Sequence, residues 1–265
     1  MLNDTTARRG TRRRFLAAAA SGMTGALAGC GTATSSDADP FETVTVEGTS
    51  LAITLASRPR VDEIELRSPD GTTFVRQRLD PEGDRATLPL IETSYTATPE
   101  HYRAGENTLV ARRDGERVGQ RTVSLSPDVR LTDMRLADET GFNPTVTVEN
   151  AGTGPTFLTY LGFDNVPNPT PPAAETTGLP EERGVGVPLP PATREVRSGS
   201  MPFAFRRLPS EADTLSCPGR QSVEVTVHTV HGDTSTAFPV RFGGEIENVL
   251  WLSHRCSEVT VESTD

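Results

Sequence analysis

Alternation of aliphatic and polar residues, broken at short intervals by proline or glycine, constrains this chain more than any other feature. Thr43-Val44-Thr45-Val46-Glu47, Ala52-Ile53-Thr54-Leu55, Glu63-Ile64-Glu65-Leu66, Thr145-Val146-Thr147-Val148-Glu149, Val223-Glu224-Val225-Thr226-Val227 and Val259-Thr260-Val261 each place aliphatics on one face and polar groups on the other. Such half-buried strands pair antiparallel, with the polar face in water. Between them stand Pro69-Asp70-Gly71, Pro81-Glu82-Gly83-Asp84, Asp114-Gly115 and His231-Gly232-Asp233. There glycine accepts positive φ, and aspartate bonds back to its own backbone. No segment after Cys30 keeps helical spacing for three turns, and the 21 prolines would interrupt one that did. The expectation is an all-β protein with negligible helix.

Length divides that expectation in two. About 225 residues follow Phe41, where folded structure should begin, and an immunoglobulin-sized sandwich takes roughly 100. Residues 41–127 hold about seven strands and end in Tyr102-Arg103-Ala104-Gly105-Glu106-Asn107-Thr108-Leu109-Val110, an Arg113-Asp114-Gly115-Glu116 hairpin and Arg121-Thr122-Val123-Ser124-Leu125. A tyrosine before a glycine turn into an apolar strand resembles the penultimate strand of an immunoglobulin-like sandwich. A boundary is expected near Ser126-Pro127-Asp128, with a second β-sandwich over 128–265. Within it, Val146-Thr147-Val148-Glu149-Asn150-Ala151-Gly152-Thr153-Gly154 resembles the V-x-V-x-N-x-G signature of CARDB-type and related archaeal surface sandwiches. That resemblance implies adhesion or scaffolding rather than catalysis.

The first 29 residues read as an address. Arg12, Arg13, Phe15 and Leu16 resemble a twin-arginine (Tat) export signal, and Leu27-Ala28-Gly29-Cys30 resembles the lipobox whose cysteine is lipidated and becomes the new N-terminus. A spanning helix needs about 20 predominantly apolar residues. Here residues 15–29 supply fewer, with Gly22, Gly25, Gly29, Ser21 and Thr24 among them. Residues 30–40 are small and polar and suit a flexible tether. These readings place the protein on the outer face of a membrane, held by lipid on Cys30.

Composition describes the solvent. Removing five arginines and Asp4 with the signal from 26 basic and 36 acidic residues leaves 21 against 35, a net charge of −14, and the chain contains no lysine. A lysine-free acidic surface resembles proteins of extreme halophiles, where the Debye length falls to about 3 Å at molar salt; arginine-preferring codons in a GC-rich genome give the same bias. A nucleic-acid partner is disfavoured, because phosphate binding needs a basic face. Halophilic archaea send much of their secretome through the Tat route, so the export signal implies no cofactor.

Cysteines and histidines leave few chemistries open. With Cys30 assigned to lipid, Cys217 and Cys256 remain for a disulfide in an oxidising compartment. The alternative, a metal held by Cys217, Cys256 and His254, lacks a fourth ligand at C-x-x-C or H-x-x-x-H spacing. His228 and His231 are separated by an odd number, which puts them on opposite faces of a strand, and both read as surface residues. Met134 and Met201 lie far from Cys256, so a blue-copper site is not assembled. Asp80, Glu82 and Asp84 could hold calcium in a turn but read as a solvated carboxylate cluster. No G-x-S-x-G, P-loop, H-E-x-x-H or dinucleotide motif is present. No cofactor and no catalytic residue is expected.

One segment stands out as a possible partner-binding loop. Residues 165–183 contain Pro167, Pro169, Pro171, Pro172 and Pro180, and a loop this long inside a compact domain either binds something or is a solvated insertion. Tyr160 and Phe163 before it read as sandwich core. Together these features lead to the expectation of a lipid-anchored, non-enzymatic surface protein that binds or spaces a partner in the cell envelope. A solute-binding lipoprotein serving a transporter, or a secreted hydrolase, are the alternatives.

Overall fold

A computed structural model describes residues 39–57, 60–80, 82–92, 100–136, 143–171, 186–206, 215–250 and 253–262. Among these residues every regular element is a β-strand, numbered here in chain order. The signal residues Arg12, Arg13, Phe15 and Leu16, and Cys30, lie outside the described residues.

The first half contains β1 (Phe41–Glu47), β2 (Ser50–Leu55), β3 (Glu63–Arg67), β4 (Thr73–Arg78), β5 (Arg85–Pro89), the short pair β6 (Ile91–Glu92) and β7 (Glu100–His101), β8 (Gly105–Arg113) and β9 (Glu116–Leu125). A three-stranded sheet in the order β1-β2-β5 faces a four-stranded sheet in the order β4-β3-β8-β9, all antiparallel. The sequence alternation becomes packing directly. Leu51, Ile53, Ile64, Leu66, Leu88 and Leu109 are fully or nearly fully buried between the sheets, each worth about 1.5–3 kcal/mol of transfer free energy. Asp114 and Gly115 form the two-residue turn between β8 and β9, both at positive φ (51° and 80°). That backbone twist matches the flanking strands, and Asp-Gly is the pair that tolerates it.

The second half contains β10 (Val129–Leu136), β11 (Pro144–Asn150), β12 (Thr156–Asp164), β13 (Val187–Leu189), β14 (Thr193–Arg197), β15 (Phe205–Arg206), β16 (Gly219–Thr229), β17 (Gly232–Leu250) and β18 (Ser253–Val261). Its sheets run β10-β11-β14 and β13-β12-β16-β17-β18-β15. Laid over the first half, β10-β11-β14 takes the place of β1-β2-β5, and β13-β12-β16-β17 the place of β4-β3-β8-β9. One topology is therefore used twice, and β18 and β15 extend the larger sheet of the second copy. The chain is all-β, with two tandem antiparallel, immunoglobulin-like sandwiches.

Each sandwich has its own core. Val146, Val148, Leu158, Leu161, Phe163, Val223, Val225 and Val227 close the second, where Phe203 stacks edge-on with Phe242 at 5.3 Å. Cys217 and Cys256 are joined by a disulfide with their Cα atoms 5.7 Å apart, and Cys256 is 1 % exposed within the core. The bond ties the chain just before β16 to the added strand β18. β9 ends at Leu125 and β10 starts at Val129, leaving Ser126-Pro127-Asp128 as the connection.

Candidate functional site

The chemistry-bearing side chains of the first sandwich gather on the outer face of its four-stranded sheet. Period two sends Ile64 and Leu66 of β3 inward and Glu63, Glu65 and Arg67 outward. Register then stacks neighbours beside them. Glu65 lies opposite Arg76 on β4 and Val110 on β8, while Glu63 lies opposite Arg78 and Arg112. Arg112 in turn lies opposite Arg117 on β9. The face therefore carries Arg67, Arg76, Arg78, Arg112 and Arg117 against Glu63, Glu65 and Glu106, an excess of positive charge on a chain whose net charge is −10. The opposite sheet of the same sandwich shows Thr43, Thr45, Ser50, Thr54 and Thr87, small hydroxyls, with Glu47 and Arg85 as a balanced pair of charges.

Glu65 organises this face. Its side chain has no solvent exposure. Arg67 Nε donates to one carboxylate oxygen at 2.6 Å and the Thr73 hydroxyl donates to the same oxygen; Arg112 Nε donates to the other at 3.0 Å, with Arg76 Nη2 at 3.6 Å. Burial alone would raise the pKa of this carboxyl, but the hydrogen bonds from Arg67, Thr73 and Arg112 outweigh it and pull the value down to about 2. The charged form is thus the stable one at any pH above strong acid. Arg112 Nη1 also donates to the carbonyl of Gly115 at 2.9 Å, which fixes its plane. A cavity of about 440 Å³ opens above, walled by Arg67, Arg112 and Arg117 with Thr108 and Gln120, over the buried Val110.

A second constellation sits where the two sandwiches meet. Asn150, 3 % exposed, donates through Nδ2 to the carbonyls of Gly154 (3.0 Å) and Leu189 (3.2 Å) and accepts through Oδ1 from the amides of Asp128 (3.1 Å) and Gly152 (3.2 Å). Thr153 and Ser126 exchange bonds, the Thr153 amide to the Ser126 carbonyl at 2.8 Å and the Ser126 amide to the Thr153 hydroxyl at 3.0 Å. The Tyr102 hydroxyl crosses from the first sandwich to donate to the carbonyl of Pro155 at 2.8 Å. Two glycines make the approach possible. A Cβ on Gly152 would stand 2.1 Å from the Ser126 oxygen, and one on Gly154 would stand 2.1 Å from the Tyr102 hydroxyl. The Asn-x-Gly-x-Gly run of the sequence is the clasp between the domains.

His231 completes that clasp. A carbonyl only accepts, so Nε2 carries the hydrogen toward the Tyr102 oxygen at 3.0 Å, and Nδ1 accepts from the Thr156 hydroxyl at 2.9 Å. Its ring lies 4.6 Å from Tyr102 and 5.1 Å from His101. Burial lowers its pKa, the Tyr102 carbonyl opposes that, and His101 lowers it further, so the neutral ring is favoured. Expecting both histidines on the free surface of one strand is corrected here. β16 ends at Thr229, so His231 sits in the turn and is half-buried between domains, where strand parity does not apply. His228 stays on the strand, half-exposed, beside Tyr160 and 2.8 Å from a carboxylate oxygen of Asp233.

The other sequence candidates are placed as follows. Pro167, Pro169 and Pro171 belong to a segment anchored at both ends of its described part: Asn168 donates to the carbonyls of Pro202 and Met201 at 3.0 Å each, and the Tyr160 hydroxyl donates to Pro171 at 2.9 Å. Pro172 and residues 172–185 lie outside the described residues. Tyr160 and Phe163 are buried. His254 is buried on β18, while Cys217 and Cys256 bond each other. Glu82 and Asp84 are exposed, and among the described residues no three His, Cys, Asp or Glu converge as a metal site.

The arginine face and the clasp were not assembled from sequence, although the alternation in Glu63-Ile64-Glu65-Leu66-Arg67 and Arg76-Gln77-Arg78 carried part of the signal. No family model matches the chain, and no curated protein matches it. Among solved structures it is similar to a segment of two fibronectin type-III domains from chicken tenascin, at 13 % identity and a TM-score of 0.26, covering 75 % of this chain and 98 % of that one. It is also similar to a β-glucuronidase of glycoside hydrolase family 2, at 10 % identity and a TM-score of 0.23, covering 74 % of this chain. A family 2 member from Bacteroides cellulosilyticus aligns at 11 % identity and a TM-score of 0.22, over 73 % of this chain. The chain spans 18 % and 23 % of the lengths of those two hydrolases.

Proposed function

We propose that this protein is a lipid-anchored, non-catalytic surface protein that holds a charged binding face away from the membrane. The observation that carries the reading is the arginine-rich sheet face, organised by a buried carboxylate, on a chain that is otherwise strongly acidic. A sheet face of guanidinium groups, with Arg67 and Arg112 fixed by Glu65, offers recognition rather than bond-making. The clasp at Asn150, Gly152, Gly154, Tyr102 and His231 supports a spacing role, since it restrains the joint that a flexible pair of domains would leave free. Export and anchoring rest on Arg12, Arg13 and Cys30, and the reach on the polar residues 30–40.

The test is fractionation combined with capture. Wild-type protein should partition with membranes and a Cys30→Ala variant should be released in soluble form; equal partition of the two would remove the anchor. Crosslinking on intact cells should recover an envelope component bound to the wild type, and an empty crosslink would remove the binding role. The cavity of about 440 Å³ lined by Arg67, Arg112 and Arg117 favours a second reading, capture of a small anionic solute for a transporter, because pockets of this size suit such ligands.

A further inference from the structure

Building on the binding role proposed above, we infer that the outer face of β4-β3-β8-β9 docks a carboxylate-rich segment of a second protein, with the cavity-lining guanidinium groups of Arg67, Arg112 and Arg117, and that of the exposed Arg78 on the same face, as its contacts. Three observations converge on an anion that no described residue of this chain supplies. The first is register: Arg112 and Arg117 stand directly opposite each other on β8 and β9. Like charges at directly opposed positions are unfavourable in an isolated sheet. Among the described residues Arg117 meets no carboxylate; its polar contact is the Gln120 side-chain oxygen at 2.9 Å.

The second observation is which nitrogens are used. Glu65 takes the Nε atoms of Arg67 and Arg112, and the Gly115 carbonyl takes Arg112 Nη1. Both terminal nitrogens of Arg67, Nη2 of Arg112 and Nη2 of Arg117 have no acceptor among the described residues. They border one cavity of about 440 Å³. Because Glu65 grips Arg67 by its inner nitrogen, both outer nitrogens of Arg67 stay free for bidentate capture of a carboxylate, while Arg112, held at Nε and Nη1, offers a single donor nitrogen, Nη2. The third is the sign of the surroundings. The chain is −10, so this face is an island of opposite sign.

The shape and lining select the occupant. Among the described residues no aromatic ring stands on the face: Phe74, at the bulge in β4, packs toward the core. A glycan would look for rings on which to stack. A nucleic acid carries uniform charge along its length and would run off the arginine island onto an acidic surface. A protein concentrates its carboxylates locally, and a broad sheet face suits a protein surface. In concentrated salt long-range attraction is screened within about 3 Å, so contact pairs of the Arg-carboxylate kind are the ones that persist.

The experiment measures binding of poly-L-glutamate to the immobilised full chain, at the lowest salt that keeps its far-ultraviolet strand signal. The variant is Arg78→Gln/Arg117→Gln. Arg78 reaches Glu63 only at 4.0 Å, and Arg117 bonds only Gln120 among described residues, so neither change breaks the Glu65 cluster. The control is Arg130→Gln/Arg135→Gln on β10, which removes the same charge from the other domain. The expected result is at least a tenfold loss of affinity in the first variant and less than twofold in the control. Equal loss in both would overturn the proposal, because net charge and not this face would then govern binding. So would tighter binding of polygalacturonate or duplex DNA than of poly-L-glutamate, or binding of free glutamate as tight as of the polymer. If poly-L-glutamate fails to bind wild type while the cell crosslink still recovers an envelope component, the acidic-protein proposal falls and the broader binding role stands.

Discussion

The clasp makes a quantitative prediction about Gly154 and Tyr102. A methyl group at Gly154 would lie 2.1 Å from the Tyr102 hydroxyl and 3.0 Å from the ring carbon that bears it. Tyr102 has no solvent exposure and its ring is backed by His231 at 4.6 Å, so it has nowhere to retreat. Gly154→Ala should therefore cost about 1–3 kcal/mol in overpacking, plus about 1 kcal/mol for a displaced hydrogen bond to Pro155. Tyr102→Phe removes the same bond and leaves the Pro155 carbonyl without its donor, at about 1–2 kcal/mol. In the double variant the hydroxyl that caused the worst contact is gone. The two costs should then fall short of their sum by about 1–2 kcal/mol. Urea unfolding followed by circular dichroism, run on wild type, both single variants and the double variant, measures that coupling. Additivity within 0.5 kcal/mol would refute the reasoning, because it would mean that Gly154 and the Tyr102 hydroxyl do not meet in solution.

Glu65→Gln should flatten the acid limb of the stability curve. Since the folded pKa of about 2 lies below the ordinary 4.5, the contribution of Glu65 is complete above about pH 4.5 and is lost as pH falls toward 2. After allowance for the partly exposed arginines it is worth about 2 kcal/mol, read from urea midpoints between pH 5 and 2.5. His231 has its folded pKa depressed, so the unfolded chain binds the extra proton first, and stability should fall as pH drops below about 6.5. His231→Gln, which can still donate to the Tyr102 carbonyl, should lose that slope in calorimetric scans from pH 7.5 to 5.5; an unchanged slope would point to another group. Reducing the Cys217–Cys256 bond, which closes a separation of 39 residues, should cost about 4 kcal/mol by loop-entropy arithmetic, measured by urea unfolding with and without reductant.

The sequence alone was enough for the class of structure and for much of its punctuation. Alternation at Thr43–Glu47, Ala52–Leu55 and Val223–Val227 could be read because burial on one face leaves a period of two in the chain itself, and Asp114-Gly115 because its turn needs φ values that few residues adopt. Asn150-Ala151-Gly152-Thr153-Gly154 was visible as a motif without its reason. The reason lies in Ser126 and Tyr102, brought against it only when the two sandwiches dock. The arginine face was out of reach for the same kind of cause. Residues 65, 67, 76, 112 and 117 become neighbours through strand order and register, and a shift of one position would turn each to the other side. Local periodicity is written into the chain, whereas adjacency across strands and domains is decided by the packing of whole sheets.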